Sequence, residues 1–166
     1  MESPRQGAID PNVTVGHVHL KVADLERSLA FYRDILGFEV QERWGDEAAF
    51  LSAGGYHHHV GLNTWMSRDG EPPARRATGL FHAAFLYPSR QALARAVLRV
   101  LDAGVGLDGA ADHGVSEAVY LHDPDHNGLE LYWDRPRADW PREADGQLRM
   151  FTAALDIPGL LGVLDE

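Results

Sequence analysis

The sequence predicts an α+β fold in which two tandem strand–helix–strand–strand–strand (βαβββ) modules pair into a barrel around a metal cavity. One order of elements, marked by hydrophobic period, caps and turns, runs twice along the chain. The 166 residues are 45% hydrophobic, enough for a core in one domain or two closely packed halves. Nine histidines all fall between His17 and His126 and none lies in the flanking tails. Surface histidine would scatter, so this confinement points to a polar, metal-binding interior.

The first module is expected over residues 13–65, after an N-terminal arm of residues 1–12. From Val13 to Val22 apolar and polar residues alternate, with Val18, Leu20 and Val22 on one face and His17, His19 and Lys21 on the other. That is the pattern of a half-buried strand. Asp24 is an N-cap candidate, Leu25, Leu29, Tyr32 and Leu36 recur at helical spacing, and Gly37 stands where a left-handed C-terminal cap belongs. FEVQERW, EAAFLSA and HHHVGLNTW then read as three strands, with Gly54-Gly55 as a turn.

Residues 66–78, with Gly70 and Pro72-Pro73 and with Gly79 directly after, are too polar and too broken for a core element and are read as a linker. The second module, residues 79–135, repeats the order. LFHAAFLYP is a strand, Ser89 caps a helix that ends at Gly104, and VGLDGA, EAVYLHD and LELYWD are three strands, the last two joined by the DPDHNG turn. The displacement that lays His17 on His82 also lays Asp24 on Ser89, and a slightly longer one sets Val60 opposite Glu130. Each module alone would leave one sheet face bare, so the halves are expected to pack together and enclose a cavity. Residues 136–166 form a tail with an apolar end, expected to cover the core or a partner subunit.

Composition removes several functions. The chain has no cysteine, which excludes disulfides, zinc–thiolate sites, iron–sulfur clusters and cysteine nucleophiles. A formal charge of -10, without a Lys/Arg cluster interleaved with aromatics, argues against nucleic-acid binding. The first residues, MESPRQGAIDPN, lack the apolar run of a secretory leader, and no stretch is apolar enough to span a bilayer. A cytoplasmic protein that does not engage a membrane is the expectation.

Three positions form the candidate metal site: His17 and His82, which open matching strands, and Glu130, set in the apolar run GLELYW with Leu129 and Leu131 facing the other way. A glutamate on the inner face of a buried strand is costly unless it is paired or binds a metal. Two imidazoles and one carboxylate make the facial triad that suits iron(II), with positions left open for oxygen and substrate. Manganese, nickel or zinc are the alternatives. Strand alternation groups His58 with Val60 and Leu62; because Val60 is the repeat partner of Glu130, that face is assigned to the cavity. His58 is then an unligated acid–base group near the metal. Tyr120 can donate to a metal-bound oxygen and His113 can support it, while His19 and Tyr132 are placed at the substrate. His57 and His59 read as a polar patch by the turn, His122 and His126 as solvent-exposed.

These residues resemble a known group. GHVHLKVADLERSLAFYRDILGF and its counterpart around FHAAFLYP look like the vicinal oxygen chelate superfamily, which contains glyoxalase I, fosfomycin-resistance transferases, bleomycin-binding proteins and extradiol dioxygenases. The likeness runs from Val13 to Arg135. It implies the paired βαβββ barrel with ligands on the first, fifth and eighth strands, the places of His17, His82 and Glu130. Within the superfamily the chain is most similar to extradiol dioxygenases of the catechol 2,3-dioxygenase type, on His113, Val119-Tyr120, Asp123-Pro124 and Glu130, with His126 where glycine is usual. The likeness also carries the acid–base role onto His58. It implies an iron(II) enzyme acting on a catechol-like aromatic and dioxygen. Glyoxalase I would be expected to place a Glu or Gln ligand at Val60. A metal-dependent glyoxalase or thiol transferase, and an antibiotic-binding resistance protein, remain the other readings. Many ring-cleaving enzymes of this type carry four modules, whereas this chain has two. A homodimer is expected, with the modules paired within one chain or exchanged between two.

Overall fold

Alternation and turns build two sheets. The structure, a computed structural model, describes residues 7–74 and 76–165. Residues 1–6 of the expected arm, Arg75 of the expected linker and Glu166 of the tail lie outside the described residues. In the first module β1 (Val18–Lys21) leads through α1 (Leu25–Leu29) to β2 (Glu39–Trp44), β3 (Ala48–Ser52) and β4 (Val60–Asn63), in the spatial order β1-β4-β3-β2. β1 and β4 are parallel, the others antiparallel. The second module repeats this with β5 (Ala83–Leu86), α2 (Arg90–Asp102), β6 (Gly109–Asp112), β7 (Ser116–His122) and β8 (Gly128–Asp134). Its sheet gains a fifth strand from the tail, β9 (Ala153–Ala154), in the order β5-β8-β7-β6-β9.

Local chemistry sets the helices. The Asp24 side chain accepts from the Arg27 backbone N–H at the start of α1, and the Ser89 hydroxyl does the same for Ala92 at the start of α2. Past Leu29 the first helix widens into a π-type segment, Ala30–Ile35, which leaves the adjacent rings of Phe31 and Tyr32 both buried. Gly37 follows at a φ of 86°, the left-handed conformation that ends a helix.

Each sheet turns one face to its helix. Leu20, Leu51, Val60 and Leu62 pack with Leu25 and Leu29; Val119, Leu121, Leu129 and Leu131 pack with Leu93, Val97 and Val100. Burying each such side chain contributes about 1.5–3 kcal/mol. These groups merge into one core, and polar ties join the modules on the same side. The buried Tyr32 hydroxyl donates to Asp123 at 2.9 Å, and the Arg99 guanidinium donates to the carbonyls of Ile35 and Leu36 at 3.2 and 2.9 Å. Asp125 accepts from the Ala23 backbone, Arg27 and Ser28, and the rings of Phe38 and Phe85 meet at 5.2 Å. The tail adds α3 (Ile157–Gly162), whose Leu160 is fully buried in the same core.

Four boundaries differ from the sequence reading; one is the strand expected from Leu80, which begins at Ala83. The first strand begins at Val18, not Val13, because β4 offers partners only over Val60–Asn63; Val13 and Val15 are exposed. The strand expected at VGLDGA begins at Gly109, where pairing with β7 begins. The strand expected from His57 begins at Val60.

Candidate metal centre

The side chains opposite the core form the site. On β8, Glu130 alternates with Leu129 and Leu131, which are at most 1% exposed, so its carboxylate emerges on the open face. It pairs across the ladders with Ala84 of β5 and Tyr120 of β7. His82 stands just before β5, and its Nε2 lies 2.9 Å from Oε2 of Glu130. The Nδ1 of His82 is buried and has no hydrogen-bond partner among the described residues. Gly128 permits this approach, because a Cβ there would lie 2.2 Å from the Phe81 carbonyl oxygen.

Tyr120 and His113 extend the pair into a proton-carrying chain. Nδ1 of His113 lies 3.0 Å from the Phe151 carbonyl oxygen, which can only accept, so this nitrogen carries the proton. The Tyr120 hydroxyl is 2.7 Å from His113 Nε2 and 3.3 Å from Glu130 Oε1. Its single proton serves one acceptor at a time. A neutral His113 takes it; an imidazolium donates to the hydroxyl instead and leaves the tyrosine proton for the carboxylate. Burial, reinforced by the Glu130 charge, pushes the Tyr120 phenol up to about 12, so it remains a donor. Tyr132, on the same face, is also raised by burial and then by Asp134 and Glu130.

The first module carries a different set on its open face. His17 sits just ahead of β1, its ring 4.3 Å from that of His58 and 6.4 Å from that of His57. Nδ1 of His57 and Nδ1 of His58 share a proton at 2.8 Å. Burial, then the neighbouring His17 and His57, lowers the His58 pKa, so the imidazole is poised as a neutral base; His19 is lowered by burial and by His17. His19 packs against Phe50 and Trp65, and Trp44 against both of those rings.

The face assignment of the first module needs correction. Val60 and Leu62 are fully buried core residues, not cavity residues. In the ladders Gly61 pairs with His19 as Glu130 pairs with Ala84, so Gly61, not Val60, is the structural counterpart of Glu130. A Cβ at Gly61 would come within 2.9 Å of the His19 ring, which leaves no room for a ligand side chain. His58 still reaches the open face, because the chain before Val60 is not a regular strand and strand alternation does not apply. His59 instead accepts from the Ala53 backbone through Nδ1, and His122 lies against Asp108. His126 takes a φ of 61°, the left-handed conformation that explains why glycine suits that place in the turn.

The residues thus gather in two half-sites. His82, Glu130, Tyr120 and His113 are linked on one sheet, and His17, His58 and His19 stand together on the other. Among the described residues, no three His, Asp or Glu side chains gather within one chain as a metal-binding group. A cleft of about 500 Å³ opens beside His19, Lys21, Met66 and Leu80, but none of His17, His82 and Glu130 lines it. The donor types fit a divalent ion; within one chain their placement supplies only the His82–Glu130 half.

Residues 14–131 match the family described as the glyoxalase/bleomycin resistance protein/dioxygenase superfamily. The chain belongs to that superfamily. It is 42% identical over 154 residues, 93% of its length, to a catechol-2,3-dioxygenase of Bacillus subtilis (strain 168), covering 53% of that protein. It is 32% identical over 121 residues, 72% of its length, to biphenyl-2,3-diol 1,2-dioxygenase 3 of Rhodococcus globerulus, covering 63% of it. The chain therefore spans about half to two thirds of the length of these relatives. A crystal structure of a glyoxalase/dioxygenase from Nostoc punctiforme superposes with a TM-score of 0.62 at 22% identity, over 78% of this chain and 97% of that one. That likeness speaks for the fold. The superfamily and its extradiol members imply a divalent metal.

Sequence reasoning did not identify Trp44, Phe50 and Trp65 as site residues. Trp44 is 57% and Trp65 51% exposed, an unusual cost for indole rings unless something flat covers them. Their signal was faint: one aromatic on each of β2 and β3 and one just past the end of β4, which only the folded sheet brings together.

Proposed function

We propose that this chain is an extradiol-type dioxygenase that uses iron(II) to open the ring of a catechol-like aromatic with dioxygen. The observation that carries the reading is the coupled set His82–Glu130–Tyr120–His113 on an open sheet face. The 42% identity to a catechol-2,3-dioxygenase supports it. His17, His82 and Glu130 would hold the ion, which supplies the Lewis-acid and redox chemistry that brings catechol and dioxygen together.

The chain's own groups do the rest. His58, held neutral by burial and by its histidine neighbours, accepts the proton that a catechol hydroxyl gives up on binding. Tyr120 keeps its proton and, once a protonated His113 donates to its hydroxyl, gives a hydrogen bond to negative charge developing on a substrate oxygen. The rings of Phe50, Trp44 and Trp65 offer faces against which an aromatic substrate stacks, beside His19, and Tyr132 lies on the face that carries Glu130. Gly61 adds no fourth protein ligand, which leaves room for two substrate oxygens and speaks against the isomerase reading. The working state is a homodimer. The proposed setting is the cytoplasm, a reducing compartment in which ferrous iron persists.

The test is oxygen uptake by iron(II)-loaded protein with a panel of substituted catechols. Uptake matched to yellow ring-opened product is expected. Turnover of a glutathione adduct with nickel or zinc, without oxygen consumption, would favour the isomerase or transferase reading instead.

A further inference from the structure

We propose that Lys21 gives this chain a carboxylate-binding subsite, so that its favoured substrates are catechol-like aromatics carrying a carboxylate on a short side chain. The inference rests on the proposed function for the ring and adds what the ring carries.

Position is the first support. Lys21 ends β1 on the face that carries His19, because residues two apart on a strand point the same way. Both side chains line the cleft of about 500 Å³. At a strand rise of about 3.3 Å per residue, Lys21 lies about 7 Å along β1 from His19. A ring stacked at His19, Phe50 and Trp65 therefore has a short substituent within reach of the ammonium on its flexible four-carbon stem.

Charge singles the same residue out. Lys21 is the only lysine of a chain with 25 acidic residues against 15 basic ones. Cations in such a chain readily find carboxylates, and Arg27, Arg43, Arg68, Arg90 and Arg135 each hold one. Lys21 forms no ion pair among the described residues. Among those residues it is also the only Lys or Arg that lines the cleft. Two carboxylates share the cleft with it. Asp125 is occupied by the Ala23 backbone, Arg27 and Ser28, and Glu71 stands exposed on the linker wall.

The other walls are apolar, with Leu20, Pro72, Met66 and Leu80, the last two 86% and 62% exposed. An unpaired cation at the end of an apolar slot, beside stacked aromatic rings, suits an amphipathic anion. The ring lies against rings and apolar walls, and the carboxylate accepts from the ammonium. A neutral catechol leaves Lys21 without a partner.

Paired charged and neutral substrates test this. Catechols bearing a carboxylate on a side chain of zero to two methylenes are compared with their methyl esters by oxygen uptake. The readout is the ratio of kcat/KM for acid over ester, in which general damage to a variant cancels. The wild type should prefer the acid about fivefold at low salt, and less as ionic strength rises. Lys21→Met should bring the ratio to about one or below, Lys21→Arg should keep it, and Glu71→Gln should raise it. A wild-type ratio near one, or a ratio that Lys21→Met leaves unchanged, would overturn the proposal. A second measurement needs no turnover. As the single lysine, Lys21 is followed by acetylation and peptide mass analysis. Phenylpropionate should protect it and phenylpropionamide should not; equal protection by both, or none, would overturn the subsite too. Protection by the acid without oxygen uptake from any catechol would keep the subsite and reject only the proposed reaction.

Discussion

Gly128→Ala probes how closely the site depends on backbone approach. Gly128 does not need a left-handed φ, so alanine is opposed there by space alone. Its Cβ would sit 2.2 Å from the Phe81 carbonyl oxygen and 3.3 Å from the Cβ of His82. Restoring an ordinary contact requires β8 and the segment before β5 to part by about 1 Å, against backbone that cannot rotate away, at about 1–3 kcal/mol. The same movement carries His82 from Glu130, whose contact of 2.9 Å leaves no slack. A misplacement of about 1 Å can lower a rate about a hundredfold. Thermal melting and Co(II) titration measure the two effects. The variant should melt several degrees lower and bind Co(II) at least about tenfold more weakly, the equivalent of about 1.4 kcal/mol. Unchanged affinity together with an unchanged melting temperature would refute the claim that this glycine sets the His82–Glu130 geometry.

Tyr120→Phe removes a donor that stays protonated across the working pH range, and kcat should fall about a hundredfold with KM little changed, as steady-state oxygen uptake would show. Tyr32→Phe removes a fully buried hydroxyl from the Asp123 carboxylate and loosens the tie between modules; urea unfolding should give a loss of about 2 kcal/mol. Asp112 is paired with Arg135 at 2.7 and 2.9 Å, and that hydrogen bonding holds its pKa below the ordinary carboxylate value. Its contribution to stability is complete above the unfolded-state pKa, about 4, and is lost as pH falls through the lower folded-state value. The stability gap between wild type and Asp112→Asn should therefore stay constant from about pH 5 to 8 and close in more acidic solution, as unfolding midpoints across pH would reveal.

Much of the fold was legible because local signals agreed. Asp24 and Ser89 cap their helices, Gly37 ends one, and Leu129, Glu130 and Leu131 alternate as the strand period requires. The Glu130–Tyr120–His113 group was also within reach, since those residues lie on neighbouring strands and just before one of them. Where a signal depended on strand limits it slipped. Strand alternation begins only at Val60 and so does not govern His58, and a count across loops sets Glu130 opposite Val60 where the ladder register sets it opposite Gly61. The aromatic wall of Trp44, Phe50 and Trp65 exists only after two turns have brought the strands and their ends together. The separation of His17 from the His82–Glu130 pair lay furthest from view. It follows from contacts such as Tyr32 with Asp123, between residues whose distance along the chain hides their meeting.

The central claim is that both atoms of dioxygen enter one ring-opened product. Mass spectrometry after turnover of a catechol by the iron(II)-loaded protein under ¹⁸O₂ tests it most directly. A single cleavage product carrying two labelled oxygens before exchange with water, formed at one equivalent of oxygen consumed, is expected. Product without label, or catechol returned intact while the protein holds its metal, would contradict it.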